Sequence, residues 1–230
     1  MYSCGMADFT SDEVVEITAA ARKLVKANLE GLDLKDANMS GAYLRGADLR
    51  GANLRGAGLH AANLRGANLS GADLSWASLH AANLRGANLT GARLGMATLH
   101  EVDMRRASLA CADLGGARMY KAVLSEARLC GADLSGADLS WASLHAANLR
   151  GANLGKADLR WADLSAADLS GADLGRASLH AANLRGANLF DTDLTSVNLQ
   201  QALYNRETRW SPDGFDPIAA GAVLVEDGSV

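Results

Sequence analysis

Cysteine is sparse in this 230-residue chain: Cys4, Cys111 and Cys130 are scattered and odd in number. That excludes a disulfide framework and fits free thiols in a reducing compartment. No apolar run approaches membrane-spanning length, so no transmembrane helix is expected. Residues 1–16 lack a basic region followed by a hydrophobic stretch, so no secretory signal is expected and a cytoplasmic location is. Neither sign of charge dominates. The net charge is −4, and residues 28–200 carry 17 Lys plus Arg against 17 Asp plus Glu. This balance excludes a bulk polyanion and argues against a nucleic-acid partner.

What the chain has instead is a leucine every five residues. From Leu29 to Leu199 there are 35 positions at that spacing, of which 32 are Leu and three are Met39, Met104 and Met119. Two residues before each lies a second apolar position, Ala at 31 of the 35, with Leu32, Val102, Thr192 and Val197 as exceptions. A helix would smear residues five apart around its cylinder, and a flat strand would send them to opposite faces. All of them reach one core only if the chain turns once per pentapeptide. Gly, Asn, Asp and Ser between the leucines supply the turns. So short a unit must stack on copies of itself, the logic of a solenoid. The run LHAANLRGANL starts at Leu59 and again at Leu79, which favours four units per coil.

The stretches ADLSGADL, ANLRGANL and GANLSGADL match the A(D/N)LxX consensus, and the chain resembles the pentapeptide repeat family over residues 28–203. The C-terminal ALYNRETRWSPDGFDPIAAGAVLV is similar to the tails of cyanobacterial members. The resemblance implies an all-β fold, a right-handed quadrilateral parallel β-helix with two inward and three outward residues per repeat. At four repeats per coil and about 4.8 Å per coil, 35 repeats make about nine coils and a rod of about 40 Å.

Both ends of a solenoid need covering. Residues 1–9 read as a disordered start and 10–27 as an N-terminal capping helix. Thr10 and Glu13 have capping-box spacing, and Val14, Ile17, Ala21, Leu24 and Val25 share one face. Residues 204–230 read as a C-terminal capping segment in which Tyr204, Trp210 and Phe215 cover the last coil. These covers favour a monomer over a dimer.

With a 20-residue coil, residues 20 apart stack in outward columns. One runs Arg45, Arg65, Arg85, Arg105, then Ser125, His145, Ser165 and Arg185, beside another of His60, His80, His100, Tyr120, Ser140, Arg160 and His180. Together they predict a basic and imidazole stripe. A third column carries Asp113, Asp133 and Asp173 and predicts an acidic C-terminal half. The plain alternative is that Asn and Asp before each Leu satisfy turn backbone groups. Trp141 and Trp161 share a column, and so do Trp76 and Met96, all at outward positions. Exposed Trp is enriched at interface hot spots.

No metal site is expected, because His60, His80 and His100 form a row without a converging Cys or carboxylate. A loopless rod offers no concave catalytic pocket, so neither enzymatic activity nor a cofactor is expected. The reading is a non-enzymatic protein-interaction scaffold. Members of the family include regulators of bacterial differentiation that bind other proteins. The alternative the resemblance implies is a DNA mimic that binds gyrase and protects it from quinolones.

Overall fold

The structure is a computed structural model, and it describes residues 9–19, 24–211 and 214–226. Between residues 24 and 204 every fifth residue closes the same turn: Ala52 N–H donates to Leu49 O at 3.1 Å, and Ala57 N–H to Leu54 O at 3.0 Å. Every isolated bridge but one joins residues 20 apart in parallel, as in Asp33 with Asn53 and Asn53 with Asp73. Three hydrogen bonds per pentapeptide tie neighbouring coils. Leu114 N–H donates to Asp133 O, Gly116 N–H to Ser135 O, and Asp113 N–H to Ala92 O, at 2.7, 2.9 and 3.0 Å. The chain is therefore a parallel β-helix with almost no conventional strand. The exceptions are β1 (Leu203–Tyr204) and β2 (Val223–Leu224), which pair in parallel.

The core is the two inward columns. From Leu34 to Leu189 each leucine or methionine of the series is at most 1% exposed, and the alanines two residues earlier are likewise buried. Deviations cluster where the sequence deviates. Leu32, Leu194 and Val197 are only partly buried, and Thr192 turns its hydroxyl to Leu169 O at 3.1 Å. Tyr204 continues the leucine series and is buried in it.

The second turn residue has positive φ at all of positions 26, 31, 36 and so on to 201, fifteen of them Gly and the rest side-chain-bearing. This conformation is easy for Gly and uncommon for other residues. It fixes the direction of every outward column.

The N-terminal expectation needs correction. The helix α1 spans Ser11–Ala19, not 10–27. From Leu24 the chain is already solenoid, because Leu24 N–H donates to Tyr43 O and Lys26 N–H to Arg45 O. Leu24 fits both the amphipathic pattern and the pentapeptide register, and the inter-coil ladder wins. Val25 is exposed in a turn, and Ala21 lies outside the described residues. The capping box forms: Thr10 N–H donates to Glu13 Oε2 at 2.7 Å and Glu13 N–H to Thr10 Oγ1 at 3.3 Å. Val14 is buried and joins the core. At the far end Tyr204 meets Trp210 edge-on and Trp210 meets Phe215 at a tilt, centroids 5.5 and 5.4 Å apart, and Trp210 and Phe215 pack on the core. One extra residue enters here, since Asn188 bridges Arg209 rather than a residue 20 away.

Candidate functional site

Among the described residues no group of three or more His, Cys, Asp or Glu is placed to hold a metal ion. No helix there is long and apolar enough to cross a membrane. The concavities are shallow surface grooves. One of about 410 Å³ runs over Asn153, Gly155, Asp173 and Gly175. Distinctive chemistry lies on the faces.

One face collects two of the features expected to matter. Its floor is the bridged column Asn63, Asn83, Asp103, Val123, Ser143, Asp163 and Asn183. One edge precedes this floor in each coil and carries the imidazole and aromatic residues. The other edge follows it and carries the arginines.

The first edge is a ladder of rings. His60 and His80 stack at 5.2 Å, and His80 Nδ1 lies 3.1 Å from His100 O. His100 meets Tyr120 edge-on at 6.3 Å, and Lys121 Nζ sits 5.2 Å from the Tyr120 ring centroid. Trp141 and Trp161 stack at 5.3 Å with planes 17° apart, and His180 meets Trp161 edge-on at 5.7 Å. The Arg160 guanidinium lies 5.3 Å from the Trp161 ring. Trp141 is 52% and Trp161 40% exposed. Both hold φ near +60°. Bulky residues there carry a backbone cost of about 1–2 kcal/mol, which a Gly in the same turn would avoid.

The second edge separates into arginines with a close ion pair and arginines without one. Arg105 donates from Nε to Asp103 Oδ1 at 2.9 Å and from a terminal nitrogen to Oδ2 at 2.6 Å. These hydrogen bonds hold the Asp103 carboxyl below its ordinary range. Beside it Arg106 pairs with Glu126 at 2.9 Å. Arg45, Arg65 and Arg85 follow Tyr43, Asn63 and Asn83 instead of an aspartate, and among the described residues none of the three makes an ion pair within 4 Å. The basic stripe expected to run through Arg105 therefore ends at Arg85. The signal was present: Asp two residues before Arg closes a local pair, and Asn does not. Asp48–Arg50 and Asp158–Arg160 repeat the rule.

Towards the C-terminus the arginine edge gives way to Ser125, His145 and Ser165 before Arg185. Beside the tryptophans lie Val123, Ser125, Ser143, His145 and Ser165, with Ser125 Oγ 2.8 Å from Ser143 Oγ and His145 Nδ1 2.9 Å from Ser165 Oγ. Asp163 is occupied, accepting from the Ser165 hydroxyl at 2.6 Å and Asn183 Nδ2 at 3.0 Å. One face thus offers guanidinium groups without a close ion pair at one end and exposed indoles beside Ser143, His145 and Ser165 at the other.

The other expected site residues lie elsewhere. Trp76, 58% exposed, and Met96 are on a neighbouring edge. Asp113, Asp133 and Asp173 form their column on a separate face, but their Oδ1 atoms cap turns. They accept from the N–H groups of Gly115, Ser135 and Gly175 at 3.0, 3.0 and 2.7 Å. Asn153 Nδ2 also donates to Asp133 Oδ1. This column therefore performs the turn-satisfying role first, and Arg93 paired with Asp73 at 2.9 Å breaks its acidity.

A family model described as pentapeptide repeats matches the chain in eight copies, over residues 23–60, 58–95, 87–125, 122–160, 142–180 and 162–201. Among solved structures, the chain is similar to HetL, a pentapeptide repeat protein involved in heterocyst differentiation regulation from the cyanobacterium Nostoc sp. strain PCC 7120. Identity is 36% over 90% of this chain and 99% of that one, with a TM-score of 0.37. A second pentapeptide repeat protein of that organism is 40% identical over 49% of this chain and 84% of its own, TM-score 0.26. Trypsin-treated QnrB1, a plasmid-mediated fluoroquinolone resistance protein, is 20% identical over 88% of this chain and 85% of its own, TM-score 0.52; that likeness concerns the fold. No curated protein matches the chain.

Proposed function

Because the chain belongs to the pentapeptide repeat family, whose members fold into right-handed β-helices and generally serve as protein-interaction modules, we propose that it is a non-enzymatic docking scaffold. In this reading residues 28–203 form a quadrilateral rod of about nine coils. Its N-terminal end is covered by α1 and its C-terminal end by the Tyr204–Trp210–Phe215 cluster. The protein works as a cytoplasmic monomer that presents one face to a protein partner, in a regulatory role. It needs no cofactor, metal or nucleic acid.

The observation that carries this reading is the shared face of Arg45, Arg65, Arg85, Trp141 and Trp161. Tryptophans that are exposed, stacked and held at unfavourable φ contribute little to the rod itself. Trp and Arg are also the residue types that dominate interface energetics. Affinity capture from a native lysate tests it. The expected result is a specific partner retained by the wild type and lost by Trp141→Ala/Trp161→Ala. A partner captured equally by both would sink the role of these side chains.

The quinolone-protection alternative has less behind it. Its acidic column is interrupted by Arg93, and its carboxylates are engaged in turns. A gyrase supercoiling assay decides it: protection from a fluoroquinolone would favour the alternative, and its absence the docking scaffold.

A further inference from the structure

The docking face is not uniform, and its two ends call for different chemistry in one partner. At the N-terminal end Arg45, Arg65 and Arg85 stack along the rod without an ion pair among the described residues. Coil spacing puts them about 5 Å apart, so the three span about 10 Å. Like charges this close repel each other, and a carboxylate laid across them relieves that repulsion. The floor beside them is Tyr43, Asn63 and Asn83, which adds no charge, and Asp103 follows one coil beyond. At the other end the half-exposed Trp141–Trp161 stack rises beside Val123, Ser143 and Ser165, and the Asp163 carboxylate there is already engaged by Ser165 and Asn183. Of the cations near the stack, Arg160 is held by Asp158 at 2.6 Å, while Lys121, one coil before Trp141, lies over the Tyr120 ring.

We propose that the partner binds as one extended polypeptide segment, with an acidic run laid on Arg45, Arg65 and Arg85 and an apolar anchor on Trp141 and Trp161. The proposal rests on the docking reading above and specifies its ligand. The dimensions follow from the rod. Along the rod axis, from Arg85 to the middle of the tryptophan stack is a little over three coils, about 16 Å, and the segment must also cross the floor between the two edges, so the spacer is at least about five residues. The segment is therefore about 12 residues long: three or four acidic, about five of spacer, then the anchor. A single-stranded nucleic acid fits less well. The floor it would follow carries the carboxylates of Asp103 and Asp163, whereas such partners follow long basic grooves.

The probe is a fluorescein-labelled 12-residue peptide with four alternating Asp and Glu, a five-residue Gly/Ser spacer and Leu-Phe-Leu, read by anisotropy on the full chain. Hot-spot magnitudes predict about a tenfold loss of affinity or more for Arg45→Ala/Arg65→Ala/Arg85→Ala and for Trp141→Ala/Trp161→Ala. Blanking either half of the peptide with serine should weaken binding to the same degree. A one-residue spacer should also fail, because it cannot reach both ends. Raising salt should weaken the acidic half alone. Circular dichroism and thermal melts of the variants separate lost contacts from lost folding. The proposal is overturned if the peptide does not bind, if neither variant weakens it, or if a 12-nucleotide oligo(dT) binds more tightly at equal salt. If the peptide fails while lysate capture still yields a partner dependent on Trp141 and Trp161, the ligand chemistry is wrong and the docking reading stands. If both fail, both fall.

Discussion

Leu114→Ala, in the middle of the rod, tests whether the inward leucine column holds the solenoid together. Leu114 is fully buried, as are Leu94 and Leu134, its counterparts one coil below and above. Removing its branched end forfeits the transfer energy of the lost carbons and leaves a cavity, a combination that costs about 2–5 kcal/mol. The upper half of that range applies here. Collapse into the cavity requires backbone movement, and the backbone is pinned on both sides. Leu114 N–H is bonded to Asp133 O at 2.7 Å and Asp113 N–H to Ala92 O at 3.0 Å. The expected loss is therefore about 4 kcal/mol, a large share of a typical total of about 5–15 kcal/mol. Leu32→Ala is the control: that side chain is only partly buried, and its loss should cost about 1 kcal/mol. Urea unfolding followed by circular dichroism gives both numbers. An unchanged m value means the rod still unfolds as one unit, and a reduced m means it parts near the missing side chain. Equal shifts for the two variants, or a loss below about 1 kcal/mol for Leu114→Ala, would refute the argument that the continuous leucine column carries stability.

Three further outcomes are expected. Gly71→Ala places a side chain at φ +67° with no atom within 4 Å of the new Cβ, so the change isolates backbone cost. The left-handed penalty less the stiffening of the unfolded chain leaves about 0.5–1 kcal/mol of destabilisation, and a gain in denaturant midpoint would contradict it. Side-chain hydrogen bonds from Arg50, Arg105 and Arg160 hold Asp48, Asp103 and Asp158 below the ordinary carboxylate range. A lowered folded-state value means the unfolded chain takes up the proton first. The contribution is thus complete above about pH 4 and disappears as pH falls through the lower folded-state values. Melting temperature should be level from pH 7 to about 5 and drop below pH 4; a rise there would reverse the sign. Trp141→Ala/Trp161→Ala should shift stability by no more than about 1 kcal/mol, because both rings are largely exposed and alanine carries the same left-handed backbone cost, so only the exposed stack is lost; a larger loss in urea unfolding would make the pair structural.

Most of the fold was legible because one period carries it. The leucine spacing demanded a turn every five residues, and the repeat of LHAANLRGANL pointed to the 20-residue offset seen in the bridges. The ends were less legible, because there the repeat competes with other signals. Leu24 fits a helix face and a coil equally, and only the hydrogen bonds of Leu24 to Tyr43 and Lys26 to Arg45 select the coil. The extra residue before Arg209 lies beyond the last repeat, where no period exposes it. For the candidate site, column arithmetic placed the arginines and tryptophans but not their pairing. Arg85 and Arg105 look alike until Asn83 and Asp103 are compared. Nor did the column list show that Trp141 and Arg85 flank one floor, a relation that depends on where each turn directs its side chains.

The central claim is that this one face is where the protein meets its partner. Hydroxyl-radical footprinting of the full chain, free and in complex with a captured partner, tests it most directly. The account predicts protection of Trp141, Trp161 and Tyr120, with Trp76 and Met96 unchanged. Protection confined to Trp76 and Met96, or to Trp210 and Phe215 at the end of the rod, would contradict it.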